Sequence, residues 1–106
     1  MADIRTKEFT AKDMFNSATA KTLKSVVGQS LVVTALWITE RPDQDGVVQV
    51  VANLKTSDGN IYGTISDTVI RSAMALPEIL EEGPVTINVE DRPGNKGRNY
   101  LVITLA

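Results

Sequence analysis

The spacing of hydrophobic positions divides the chain into segments of different period. Residues 30–40 (SLVVTALWITE) are a long run rich in β-branched residues and apolar at successive positions, the pattern of a strand buried on both faces or wrapped around a barrel. Residues 47–56 and 60–66 are further β-branched runs flanking Asp58-Gly59, a dipeptide that favours a two-residue hairpin turn because both positions of a type I′ turn need positive φ. That turn sets Ser57 opposite Asn60, Lys55 opposite Tyr62, Leu54 opposite Gly63, Asn53 opposite Thr64 and Ala52 opposite Ile65. Directly opposed residues share a face. One face then carries Val48, Val50, Ala52, Leu54, Gly63 and Ile65, a core, and the other carries Asn53, Lys55, Tyr62 and Thr64. Gly63 in mid-strand marks a bend or bulge.

After Ser66 the period becomes helical. Val69, Ile70, Ala73, Met74, Leu76 and Leu80 form an apolar stripe, Ser66 or Asp67 caps its start, Gly83-Pro84 stops it, and Pro77 breaks it in the middle. Residues 85–90 and 99–105 alternate as half-buried strands around a glycine-rich loop, 91–98. Near the start, Met14, Phe15, Ala18, Leu23, Val26 and Val27 recur at helical spacing in places, with Asp13 as an N-cap and Gly28 as a stop, which predicts one or two short helical turns with Phe15 packed inward. Residues 1–12 are a flexible tail or a short edge strand, and 41–46 are a polar loop.

The order strand, strand, strand, helix, strand, strand predicts a mainly β, five-stranded OB-fold barrel with a helix between its third and fourth strands and a short N-terminal helical segment, a single domain over residues 1–106. A ferredoxin-like order needs a long helix after the first strand, and none is there. On an OB-fold, ligands lie across strands two and three and between the loops joining strands one to two and four to five. Those places are the outer face of the hairpin, the loop 41–45 and the loop 92–98.

Composition narrows the chemistry. The chain has neither cysteine nor histidine, which removes disulfides, thiolate sites, the commonest general base and the commonest metal ligand. No metal or other cofactor is expected, and no enzyme activity. No apolar run is long enough for a membrane span and residues 1–12 lack a signal-peptide core, so the expectation is a cytoplasmic protein without a membrane partner. The net charge of −2 argues against coating duplex DNA by bulk charge, but the placement of charge matters more than its sum. Arg92, Lys96 and Arg98 stand in one loop with no carboxylate from 92 to 98, Arg41 and Lys55 extend the patch, and the acids gather elsewhere. Tyr62 on the outer face and Tyr100 on the last strand offer rings on which bases can stack. Asn53 and Thr64 complete the candidate nucleic-acid-binding set of Arg41, Asn53, Lys55, Tyr62, Thr64, Arg92, Lys96, Arg98 and Tyr100. Trp37, in a run apolar on both sides, is assigned to the core. Asp43-Gln44-Asp45-Gly46 lacks the later ligands of a calcium loop, and Gly94-Asn95-Lys96-Gly97 is no phosphate-binding loop of the Walker type.

Several of these stretches resemble the small single-stranded DNA-binding proteins of tailed bacteriophages that replicate by strand displacement, and of related phages of Gram-positive hosts. The resemblance rests on Met14-Phe15-Asn16 followed by residues 22–28 (TLKSVVG), on the hairpin from Leu54-Lys55-Thr56 to residues 62–66 (YGTIS), and on Gly97-Arg98-Asn99-Tyr100 leading into the last strand. It implies an OB-fold protein in the host cytoplasm that coats transient single strands during phage DNA replication without sequence specificity. With only five aromatic residues in the chain, self-association along the strand is the expected route to affinity. The alternative is an OB-like protein-interaction module, an accessory factor or inhibitor, that binds no nucleic acid; between DNA and RNA the sequence does not choose.

Overall fold

In the computed structural model, which describes residues 3–106, the chain is mainly β, a curled, partly open sheet with short helices. Its elements are β1 (Ile4–Arg5), α1 (Ala11–Asn16), β2 (Lys21–Thr22), β3 (Ser30–Pro42), β4 (Val48–Thr56), β5 (Ile61–Thr64), α2 (Asp67–Ala73), α3 (Leu76–Leu80), β6 (Val85–Pro93) and β7 (Asn99–Leu105). The spine is β3, 13 residues long, which pairs with β6 through Ser30–Val33 and with β4 from Val33 to Pro42. The β3–β4 register shifts between Val33 and Ala35, an irregularity of the kind that bends a strand and curls a sheet. Beyond β6, the free edge of β3 carries β1, with Ile4 opposite Ile38 and Arg5 opposite Trp37. The first two residues of the expected tail lie outside the described residues.

The unbroken apolar character of β3 has its reason in two cores. Leu36 and Ile38 point into the main core with Leu54, Val69, Leu76, Ile87, Val89 and Ile103. Ala35 and Trp37 point the other way, against Phe9 and Ile61 in a smaller cluster beneath the N-terminal segment. The Trp37 ring lies 5.8 Å from that of Phe9, and its indole N–H donates to Asp3 Oδ2 at 3.2 Å.

The β4–β5 hairpin corrects the expected register by one residue. Leu54 faces Tyr62, Asn53 faces Gly63, Ala52 faces Thr64 and Lys55 faces Ile61. The turn spans three residues between Thr56 and Asn60, not two: Thr56 N–H donates to Asn60 O at 2.9 Å, and Gly59, at φ 87°, is the one turn residue in the left-handed region. Asp58 is not left-handed because its carboxylate accepts from Asn60 N–H at 3.1 Å and from the Thr56 hydroxyl, a geometry that suits a three-residue loop ending in a left-handed glycine. Those hydrogen bonds, that from Thr56 foremost, hold the Asp58 pKa below its ordinary value. Because side chains alternate with period two, the slip puts Tyr62 in the main core and turns Gly63 to the outer face beside Asn53. Val48 and Ile65, expected in the core, are exposed.

Pro77, expected to break one helix in its middle, instead stands in the first turn of a second helix, α3, where its missing N–H costs little; Ser66 caps α2 through Val69 N–H. At the other end of the chain the N-cap of α1 is Thr10, not Asp13. Asp13 sits three residues on, closes a capping box with Thr10 and pairs with Lys55 Nζ at 2.8 Å, tying α1 to β4. Burial raises the Asp13 pKa, but hydrogen bonds from Lys55 and Thr10 outweigh it, and the net shift is downward. A carboxylate with a depressed native pKa contributes stability above its unfolded pKa, about 3.9, and loses that contribution as pH falls through the native value. Asp13→Asn is therefore expected to be less stable than the wild type at neutral pH, by up to about 1 kcal/mol. The gap should close below about pH 4 in parallel acid titrations of unfolding; a gap independent of pH would show that the pair contributes nothing.

Candidate nucleic-acid interface

The sheet is not zipped into a closed barrel: β5 and β7 do not pair, and the outer edge of β5 is taken by β2 in parallel, with Lys21 opposite Tyr62 and Thr22 opposite Gly63. A groove of about 990 Å³ lies between these two sides. Its floor is Val51 and Asn53 of β4 with Gly63 and Thr64 of β5; one wall is the segment holding Ser17, Lys21, Thr22 and Lys24, and the other is the end of the β6–β7 hairpin, with Asp91, Arg98, Asn99 and Tyr100. Arg41 lines the same groove from the end of β3.

Charge is distributed unevenly around it. Among the described residues, Lys21, Lys24, Arg41 and Arg98 line the groove against the single carboxylate of Asp91, four positive charges to one negative in a chain whose formal sum is −2. None of the four takes part in the Lys55–Asp13 or Arg92–Glu90 ion pairs. Asp91 accepts from the Asn99 amide at 3.0 Å. Arg41 is held in place by hydrogen bonds to Ser17 O and Oγ, its guanidinium lies 5.4 Å from the centre of the Trp37 ring, and among the described residues it forms neither of the Lys55–Asp13 and Arg92–Glu90 ion pairs.

Two further features fit an extended polar ligand. Tyr100 is 42 % exposed, and its ring packs over Gly94, where a Cβ would come within 3.2 Å of the ring and 2.7 Å of Arg98 O, so a side chain at 94 would displace both. Asn53 is 1 % exposed; its amide donates to Trp37 O at 3.2 Å while its Oδ1 meets no donor among the described residues. Nothing larger than hydrogen stands on Gly63 opposite it, where a Cβ would be 3.5 Å from that oxygen. A buried acceptor without a partner is rare because it forfeits its hydrogen bond to water.

Of the candidate residues, Arg41, Asn53, Thr64, Arg98 and Tyr100 come together on this groove. Four do not line it. Tyr62 is 7 % exposed in the core, a consequence of the hairpin slip. Lys55 is spent on Asp13. Arg92 lies 3.7 Å from Glu90 on the exposed hairpin, and Lys96 takes a left-handed conformation, φ 59°, at the loop tip. Lys21 and Lys24 line the groove without having been among the residues expected there. Residues 14–39 contain these two lysines and no carboxylate, a signal legible in the chain. Among the described residues no group of three or more Asp or Glu is placed to hold a metal ion, and no helix is long and apolar enough to cross a membrane. Comparison with known protein families, curated proteins and solved structures finds no match to this chain.

Proposed function

We propose that this chain binds single-stranded DNA along the groove between β5 and β7, without regard to sequence, as a coat for strands exposed during replication. The observation that carries the reading is the groove's four cations against one carboxylate in an otherwise acidic chain. A single strand needs a basic track for its phosphates and rings for its bases, and Tyr100 at the groove wall supplies a ring. The pairings β3–β4, β4–β5, β3–β6 and β6–β7 suit an OB-fold left open between its third and fifth strands, and the groove then occupies the face on which that fold receives oligonucleotides. Backbone charge and stacking carry little sequence information, hence the lack of specificity.

Titration with unstructured oligo-dT at several salt concentrations tests this. Arg98→Ala is expected to weaken binding and to reduce the salt slope by about 0.7, the value of one lost phosphate contact on a single strand. Arg92→Ala and Lys96→Ala, off the groove, should leave the slope unchanged. Equal effects from all three would place the binding surface on the hairpin loop as a whole, and absence of binding by the wild type would favour the protein-interaction module.

A further inference from the structure

A second hollow, about 480 Å³, adjoins the groove; Ala18 and Arg41 line both, and Met14, Phe15, Asn16, Thr19 and Trp37 complete it. Phe15 is 81 % exposed there, the reverse of the packing expected for it. The reason is local. The inward positions are Asp13 of α1 and Ser17, the residue that caps its end, four apart, because Asp13 is drawn to Lys55 and Thr10 and Ser17 to Arg41; Phe15, midway between them, is turned to the opposite side. The segment that carries it is pinned at three points: the Asp13–Lys55 pair, the Ser17–Arg41 hydrogen bonds, and Phe9 against Trp37. The ring of Phe15 is thus presented to solvent on an anchored support, next to an arginine that is itself fixed.

We infer that the hollow around Phe15 is a nucleobase-stacking subsite that continues the groove past Arg41, so that a bound strand runs from Tyr100 to Phe15 with its backbone following Arg98, Lys21, Lys24 and Arg41. This rests on the reading of the groove as a single-strand track. The occupant is a base because the hollow joins an anionic-ligand groove, offers an apolar ring at its mouth, and has, among the described residues that line it, Arg41 as its one charged side chain. Stacking on such a ring is tolerant of sequence, in keeping with the groove. Two exposed rings at the two ends of a basic track give a reason for a strand to occupy its whole length.

Equilibrium titrations of wild type, Phe15→Ala and Phe15→Tyr with oligo-dT of about four and about sixteen nucleotides, which bracket the site sizes of comparable modules, test the subsite. Phe15→Ala should weaken binding of the longer strand by about 5- to 150-fold. Binding of the shorter strand, which can sit elsewhere on the track, should fall less, and Phe15→Tyr should restore both. The fold should be untouched because the side chain is exposed, and unfolding curves check that. Trp37, the only tryptophan, lines the hollow, so its emission should change on binding of the longer strand in the wild type and less so in Phe15→Ala. A wild type that binds while Phe15→Ala binds both strands equally well overturns the subsite and leaves the groove reading standing. Loss of self-association in Phe15→Ala with unchanged affinity for both strands would assign the ring to contact between copies of the chain and overturn the subsite too. A wild type that binds neither strand overturns the groove reading as well.

Discussion

Tyr62→Ala is expected to cost about 3–5 kcal/mol of stability, the range for deleting a buried ring, and to leave the DNA affinity of the remaining folded protein unchanged. Tyr62 stands 7 % exposed in the main core opposite Leu54, packed with residues from β3, β4 and α2. Its removal opens a cavity at the centre of a domain that is small enough for such a loss to take a large part of a total stability of about 5–15 kcal/mol. A fall in Tm of more than about 10 °C follows for a chain of this length. Tyr62→Phe keeps the ring and should behave almost as the wild type in both assays. If Tyr62→Ala instead melted normally and bound oligo-dT weakly, the ring would face the ligand and the hairpin register would be the one read from the Asp58-Gly59 dipeptide.

The largest binding effect is expected from removing the groove's exposed cations together. Lys21, Lys24 and Arg98 are solvent-exposed, and their replacement by alanine should change stability little. Arg41 is left in place because its contacts with Ser17 and Trp37 make it part of the support for α1. The triple variant should lose about 2 from the salt slope and, at about 0.15 M salt, on the order of 50-fold in affinity. A triple replacement of Lys7, Lys12 and Arg71, exposed cations that do not line the groove, changes the net charge by the same amount and should alter the slope far less. Equal losses from the two triples would mean that overall charge, and not the groove, draws the strand in.

The two-sided burial of β3, the helical stripe after Ser66 and the alternation of β6 were legible, the first from a β-branched run apolar at successive positions and the other two from their periods. Strand β7, where the neighbours Val102 and Ile103 are both buried and Leu105 is exposed, does not alternate as expected. The hairpin register was not legible. Ile61-Tyr62-Gly63-Thr64 does not alternate apolar with polar, so nothing in β5 itself chooses which residue faces the core. The choice falls to the turn, where the Asp58 side chain accepts hydrogen bonds that lengthen it by one residue. The same slip takes Tyr62 off the outer face and sets Gly63 there beside Asn53; Thr64, opposite Ala52, is on Tyr62's side of the strand and lines the groove as the last residue of β5. The N-terminal segment was opaque for a different reason. Strand β2 is two residues long and owes its existence to the parallel edge of β5, and α1 turns Asp13 and Ser17 inward because their partners Lys55 and Arg41 lie far along the chain. No local pattern shows that Lys21 and Lys24 meet Arg98 across a groove, nor that Phe15 faces water.

The phosphate track proposed for the groove between β5 and β7 stands or falls on how binding responds to salt. Its most direct test is the salt dependence of oligo-dT binding by the unmodified chain, read as the slope of log K against log salt. With Lys21, Lys24, Arg41 and Arg98 each meeting a phosphate, the expected slope is about −3. A binding constant indifferent to salt, or no measurable binding at low salt, would contradict it.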